Sequence, residues 1–500
     1  MTTREQGTGI RDQGTGIREQ KTSRHIHLSG ICGTAMASLA GLLQLRGHRI
    51  TGSDKAAYPP MSDLLHSLGI PIFEPYAESN LEPTPDLVVI GNALSRGNPE
   101  VECVLDRRIP FTSMAALLHE EFLAGRECLV VAGTHGKTTT TSMLAWIYQV
   151  TSREDPALEP SFLIGGVAEN FSTSFQVRPT RTFILEGDEY DTAFFDKGPK
   201  FLHYFPDALI LTSVEFDHAD IYVDLEAVKT AFKRLVNLIP RRGVVVAYDG
   251  SPTVTECVAK ALCRVERYGF SSGAEWQIQS LRHEQGLTRW QIWHNGSFWA
   301  GLEMSLAGEH NALNATAAAA LASSQGIGKE AVQAALASFK SVKRRLEVRT
   351  EIGGITIIDD FAHHPTAIRE TLRALRSVYP QARLWAVLEP RSNTLRRKVL
   401  QSDLVASLRL ADRVALAGVY QQQRIPDAER LHPEDVVHAL SSLGIQADLY
   451  PDVEAIVSSI TPQLEPGDVV AILSNGGFDG IYDKLPARLC ERFPDPGRPK

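Results

Sequence analysis

Six cysteines in 500 residues, at positions 32, 103, 128, 257, 263 and 490, are too few and too scattered for a disulfide framework. None forms a C-x-x-C pair, and Cys257 and Cys263 have no matching His/Cys set, which argues against a structural zinc site. No apolar run approaches the roughly 18 residues needed to span a bilayer. The first residues lack the apolar stretch of a secretory signal. Basic residues are not in excess: 51 Lys and Arg face 59 Asp and Glu, giving a formal charge of −8 and a pI near 6.0. Without a basic stripe there is no phosphate footprint for nucleic-acid binding. No NKxD-type motif and no catalytic Gln mark a nucleotide-switched binding protein, the reading from another class. What remains is a cytoplasmic enzyme with no membrane insertion, 43% hydrophobic and 22% charged, long enough for about three domains.

Residues 1–23 stand apart. REQGTGI and RDQGTGI repeat a charged, glycine-rich unit with one Ile each, which cannot bury a face and reads as a disordered tail. From Arg24 the chain alternates strand, loop and helix, which predicts an α/β protein with mostly parallel sheets. The expected boundaries are 24–123, 124–346 and 347–500. Strands are expected at HIHLSG, HRITGSD and DLVVIGNAL in the first unit, at CLVVAG, TFILEGDE and ALILTS in the second, and at ITIIDD, RLWAVLEP, RVALAG and VVAILSN in the third. Between them, residues 275–308 alternate in the manner of antiparallel hairpins.

The sequence GTHGKTTT (133–140) follows a strand and opens a helix. Backbone N–H groups of such a loop surround phosphates, here from Gly133, Thr134, His135, Gly136 and Thr139. Lys137 would reach the β/γ-phosphates, and Thr138 would hold Mg²⁺. Val131 replaces the usual first glycine, so the loop is a variant. Acids cluster at two further strand ends, LEGDEYD (185–191) and SVEFDHADI (213–221), and at least one residue of each is expected to bind metal. His218 taken alone is a weak signal, since a lone histidine is more often structural than a ligand. GICGTAM (30–36) fails the dinucleotide fingerprint because Leu28 fills the first glycine position. It fits both a diphosphate on a helix N-terminus and an ordinary tight turn. DDFAHHP (359–365), EPRSNT (389–394) and SNGGF (474–478) also lie at strand ends. Asp360 suits a ribose and Arg391 a carboxylate, and each segment taken singly is also plain turn chemistry.

Together, GTHGKTTT, the Glu186 strand end, His218, GEHNALNA (308–315), KRRLE (343–347) and DDFAHHP resemble the Mur ligases, over about residues 24–485. These ATP-dependent enzymes join amino acids or peptides to UDP-N-acetylmuramic acid. The resemblance implies a Rossmann-like N-terminal domain, a P-loop ATPase central domain with a mainly parallel sheet, and a Rossmann-like C-terminal domain. It implies ATP and Mg²⁺, with Lys137, Glu186 and His218 as catalytic residues and Thr138, Glu186 and His218 on the metal. His310 and Asn311 would lie beside adenine, Arg345 would contact ATP, and Asp360 would bind ribose. Gly30, Gly33, Thr34, Ser53, Asp54 and Asn92 would bind UDP-N-acetylmuramate. A lysine carbamylated to bridge Mg²⁺ occurs in several relatives; Lys233 has the spacing, but no motif anchors it, and it reads as a surface helix lysine.

The alanine-adding branch carries an HRYTR-type motif where this chain has EPRSNT. With YPPMS (58–62), GNALSRGNP (91–99), EYDTAFFDKGPKF (189–201) and SNGGF, the chain resembles instead the branch that adds a preformed murein tripeptide, L-alanyl-γ-D-glutamyl-meso-diaminopimelate. Arg391, Ser392, Asn393, Ser474 and Asn475 are the expected peptide-binding residues, and L-alanine is the alternative acceptor.

Overall fold

The computed structural model describes residues 23–57 and 61–494. The repeat at 1–22 and Tyr58, Pro59 and Pro60 of YPPMS lie outside the described residues.

Three large sheets carry the chain. The first has five parallel strands in the order Ile72–Phe73, Arg49–Ser53, His25–Ser29, Leu87–Ile90, Phe111–Ser113. Its first helix, Thr34–Leu45, is apolar along Met36, Leu39, Leu42 and Leu43 and buries that face on the sheet. Gly41 lies on the opposite side of this helix, where a Cβ would collide with the Phe175 ring of the central domain. Ser38 and Ser174 share a hydrogen bond of 2.8 Å beside it. One apolar cluster runs from Ile26 and Leu28 through Phe175 to Phe232 and joins the first and second sheets.

The central sheet has ten strands. Glu127–Ala132 lies near its middle, between Ala208–Leu211 and Thr182–Gly187, all parallel. Their sequences (ECLVVA, ALIL, TFILEG) are near-continuous apolar runs because helices cover both faces. The alternating residues 276–304 form the expected antiparallel strands Trp276–Glu284, Leu287–His294 and Ser297–Met304 at one edge. The alanine-rich helix Glu309–Ser324 is buried on nearly every side, between this sheet and the P-loop helix Lys137–Thr151.

The third sheet has six strands in the order Glu347–Ile352, Ile355–Asp360, Val469–Leu473, Leu384–Leu388, Arg413–Ala417, Gln446–Tyr450. All pairs are parallel except the first. Gln446–Tyr450 escaped the sequence reading because its half-exposed residues (QADLY) have no apolar run. The helix Pro365–Val378 starts as Pro365 indicates: Pro is at its first position and the His364 ring accepts from Thr366 N–H at 3.3 Å.

Candidate functional site

The strand Glu127–Ala132 ends in Gly133 (φ +135°) and Gly136 (φ +80°), both in backbone regions that favour glycine. A Cβ on Gly133 would strike the Thr212 hydroxyl, and one on Gly136 the Asn314 amide. The loop therefore winds tightly into the N-terminus of Lys137–Thr151, leaving first-turn N–H groups without helical partners.

Lys137 folds back over this loop. Its ammonium donates to Gly133 O at 2.7 Å and lies 2.9 Å from each carboxylate oxygen of Glu189. His218, at φ +54°, brings its Nε2 to 3.3 Å from the same Glu189. Burial pulls the His218 imidazole down, but the Glu189 hydrogen bond and charge outweigh it and raise its pKa to about 9. One acid thus contacts both Lys137 and His218. Glu186 is in the opposite condition. Burial pushes its carboxyl above the usual range, although Gly165 N–H donates to it at 2.8 Å. Thr138 and Arg345 stand beside it, with the Arg345 guanidinium 3.4 Å from the Thr138 hydroxyl. A buried carboxylate short of positive charge, with a hydroxyl and an imidazole on the same cleft, is a donor set that fits a divalent cation. Lys233 stands elsewhere, on the helix Leu225–Asn237, where it acts on Glu256 and Cys257.

Two cavities of about 460 Å³ flank the loop. The first lies between the central and C-terminal domains, lined by His135, Gly136, Thr139, Tyr248, His310, Asn311, Arg345 and Asp360. The His310 Nδ1 is buried there without a partner, and burial holds the ring neutral. Asp360 has its oxygens engaged by Leu346 N–H (2.7 Å), Ala362 N–H (2.9 Å) and the Thr371 hydroxyl (3.1 Å), which fixes the carboxylate at the cavity wall. At the domain seam His135 and His364 both approach Glu215, at 3.4 and 3.8 Å. Glu215 also accepts from the Thr366 hydroxyl at 2.6 Å.

The second cavity is where all three domains meet. The N-terminal domain supplies Gly33, Thr34 and Asn92; the central domain Lys137, Thr138, Glu186, Asp188, Lys200 and His218; the C-terminal domain His363 and Asn475. Among the other N-terminal residues, Gly30 takes φ +86° and Asp54 accepts from Cys32 N–H at 2.9 Å, so both shape the loop. Ser53 is fully buried and donates to Glu100 at 2.6 Å, in a network with Ser29 and His27 beneath the sheet.

A third cavity of about 350 Å³ adjoins the cleft through Asp217, His218, His363 and Asn475, and extends to Arg391, Ser392, Asn393, Arg396, Tyr420 and Arg424. Arg391 stacks on Tyr420 at 3.9 Å and pairs with Glu389 at 3.1 Å. Ser392 donates to His363 O at 3.2 Å; Asn393 donates to Asp220 at 2.8 Å. Ser474 is fully buried, donating to Glu389 at 2.5 Å, while the Asn475 carbonyl oxygen is buried without a partner. The structure thus gathers Arg391, Ser392, Asn393 and Asn475 on one cavity, with Ser474 behind it. Sequence reasoning noted Glu189 only as one of several acids and passed over Arg396 and Arg424; no motif marks them, and only the fold shows what they face.

Three family descriptions match in chain order: Mur ligase family, catalytic domain (25–125); Mur ligase middle domain (131–322); and Mur ligase, glutamate ligase domain (344–476). The chain belongs to the Mur ligase family, and its three α/β domains are those the motifs implied. It is 43% identical to the UDP-N-acetylmuramate–L-alanyl-γ-D-glutamyl-meso-2,6-diaminoheptandioate ligase of Escherichia coli K12, over 93% of this chain and 98% of that protein. It is 31% identical to a UDP-N-acetylmuramate–L-alanine ligase of Lachnoclostridium phytofermentans, over 92% and 97% of the two chains. The crystal structure of a murein peptide ligase from Psychrobacter arcticus superimposes with a TM-score of 0.71 at 35% identity, covering 93% of this chain and 99% of that one.

Proposed function

We propose that this protein joins L-alanyl-γ-D-glutamyl-meso-diaminopimelate to UDP-N-acetylmuramate with ATP, giving the UDP-linked tripeptide, ADP and phosphate. A cytoplasmic location is part of this reading, and no helix among the described residues is long and apolar enough to cross a membrane. The observation that carries the chemistry is the cleft lined by all three domains, with a phosphate loop on one wall and a peptide-sized cavity opening from another. The higher identity to the tripeptide ligase (43%) than to the alanine ligase (31%) favours the peptide acceptor.

In this reading ATP enters the first cavity, its base beside His310 and Asn311, its ribose at Asp360 and its phosphates on the loop from Gly133 to Thr139. UDP-N-acetylmuramate lies against Gly30, Gly33, Thr34, Asp54 and Asn92, with Ser53 supporting them from below. A carboxylate does not accept an amine directly, because hydroxide leaves poorly. The lactyl carboxylate oxygen therefore bonds to the γ-phosphorus as the bond to ADP breaks. The peptide amine then bonds to the acyl carbon, loses a proton, and phosphate leaves. Lys137 and Arg345 stabilise charge on the transferring phosphoryl group. A Mg²⁺ ion, when bound, would be held by Thr138, Glu186 and His218 and would neutralise phosphate charge. His363 is kept neutral by burial, and its Nδ1 donates to Phe361 O at 2.8 Å; the other nitrogen is left to take the amine's proton. Enclosure between three domains keeps water from the acyl phosphate.

UDP-N-acetylmuramate labelled with ¹⁸O in the lactyl carboxylate tests this route. One label should appear in the released phosphate for each amide formed; unlabelled phosphate would rule the acyl phosphate out.

A further inference from the structure

The peptide-side cavity contains more positive charge than the protein neutralises. Of the three arginines lining it, Arg391 has a carboxylate partner, Glu389 at 3.1 Å. Arg396 has none. Its terminal nitrogens donate to two neutral oxygens, Tyr420 O at 3.2 Å and the Asn393 side chain, and its Nε is buried with no partner. Arg424 is exposed at the cavity and forms no ion pair among the described residues. Burial, then the charges of Arg397 and Arg424, hold the Arg396 guanidinium below its usual range, with Asp220 acting the other way. Asp220 is itself occupied by Asn393 and Tyr190. Arg397, by contrast, is paired with Glu429 and Arg430 with Asp427. Two like charges are thus placed together, one of them half-buried and fixed in orientation by neutral acceptors. Such an arrangement costs stability in the empty protein and is relieved when an anion arrives.

The cavity's position selects the anion. Its inner end shares Asp217, His218, His363 and Asn475 with the reaction cleft, where the acceptor amine must sit. The carboxyl of the acceptor's first residue is consumed in its peptide bond. The first free carboxylate outward from the amine is therefore the α-carboxylate of the second residue, left free by the γ-linkage. We propose that Arg396 and Arg424 form a carboxylate subsite for this group, so that recognition of the acceptor depends on its γ-linked acidic second residue. This rests on the peptide-ligase reading above. It adds two residues to the sequence-based expectation for Arg391, whose charge is already shared with Glu389.

The test compares the tripeptide with an analogue whose second-residue α-carboxylate is a carboxamide, using UDP-N-acetylmuramate and saturating ATP. For the wild type, the carboxamide should reduce kcat/KM by about 30- to 1,000-fold, the range for breaking a desolvated charge pair, with the loss in KM. In Arg424→Gln and Arg396→Lys the tripeptide should fall toward the carboxamide's value, while the carboxamide itself and the KM for UDP-N-acetylmuramate stay unchanged. Arg424 is exposed, so its variant folds regardless of the fate of Arg396 variants. Equal discrimination in wild type and Arg424→Gln, or no discrimination by the wild type, overturns the subsite and leaves the ligase reading standing. If the wild type ligates L-alanine and neither peptide, the peptide-ligase reading falls and the subsite falls with it.

Discussion

Lys137 and Glu189 form a closed pair, with the ammonium 2.9 Å from both carboxylate oxygens and the acid also bound to His218. Burial alone would lower the lysine's pKa, but Glu189 reverses that and raises it. Lys137 is thus kept charged and in place by a neighbouring acid, which an anion entering the loop would have to displace.

Replacing Lys137 by Ala should abolish ligation. It should also destabilise the nucleotide-free protein by about 3 kcal/mol, since the Glu189 side chain, 3% exposed, keeps only His218 as a cationic partner. Steady-state phosphate release and urea unfolding measure the two effects. Wild-type turnover would remove the P-loop lysine from the mechanism; unchanged stability would show that Glu189 is supported otherwise.

His364 gives a pH signature. Its side chain is 6% exposed, and burial, then the neighbouring His135, lower its pKa to about 4, with Asp217 and Glu215 pulling upward. A histidine depressed on folding contributes stability that is complete above about 6.5 and lost as pH falls toward 4. His364→Asn keeps a helix-capping side chain and removes the titration. Between pH 7 and 5 the wild type should lose about 2 kcal/mol more than the variant. Parallel stability curves would contradict this.

Glu100 is fully buried beneath the first sheet and accepts from Ser29 (2.5 Å), Ser53 (2.6 Å) and Asn80 (2.8 Å). Glu100→Ala strands these donors and leaves a cavity, so a loss of about 3 kcal/mol is expected in urea unfolding. A loss under 1 kcal/mol would mean the network is dispensable.

This network also shows where sequence reading stops. His27, Ser29, Thr51 and Ser53 recur with period two on adjacent parallel strands, so they share one face. In sequence, polar residues at a strand end look like ligand contacts; here Ser53 faces the buried Glu100, which comes from a helix 47 residues further on. The P-loop was legible because a strand, a glycine turn and a helix start are all local. The central parallel strands were legible because burial on both faces leaves continuous apolar runs, whereas the half-exposed edge strands Glu347–Ile352 and Gln446–Tyr450 have none. Glu189, Arg396 and Arg424 were not, because their significance depends on crossovers that bring distant strand ends together.

Gly476 packs where a Cβ would collide with the Arg391 guanidinium. Gly476→Ala should dislodge Arg391 from Glu389 and Tyr420 and raise the KM for the peptide several-fold, with little change in the KM for ATP. An unaltered peptide KM would place Arg391 outside acceptor binding.

The acceptor itself is tested most directly by kcat/KM for phosphate release with UDP-N-acetylmuramate and ATP, with the tripeptide and L-alanine compared side by side. The cavity beyond His218 and His363, lined by Arg391, Arg396 and Arg424, fits a ligand with several carboxylates, and the tripeptide should be preferred by at least about 100-fold, roughly the worth of one or two charge-assisted contacts. Preference for L-alanine would contradict the account and assign the chain to the alanine-adding branch.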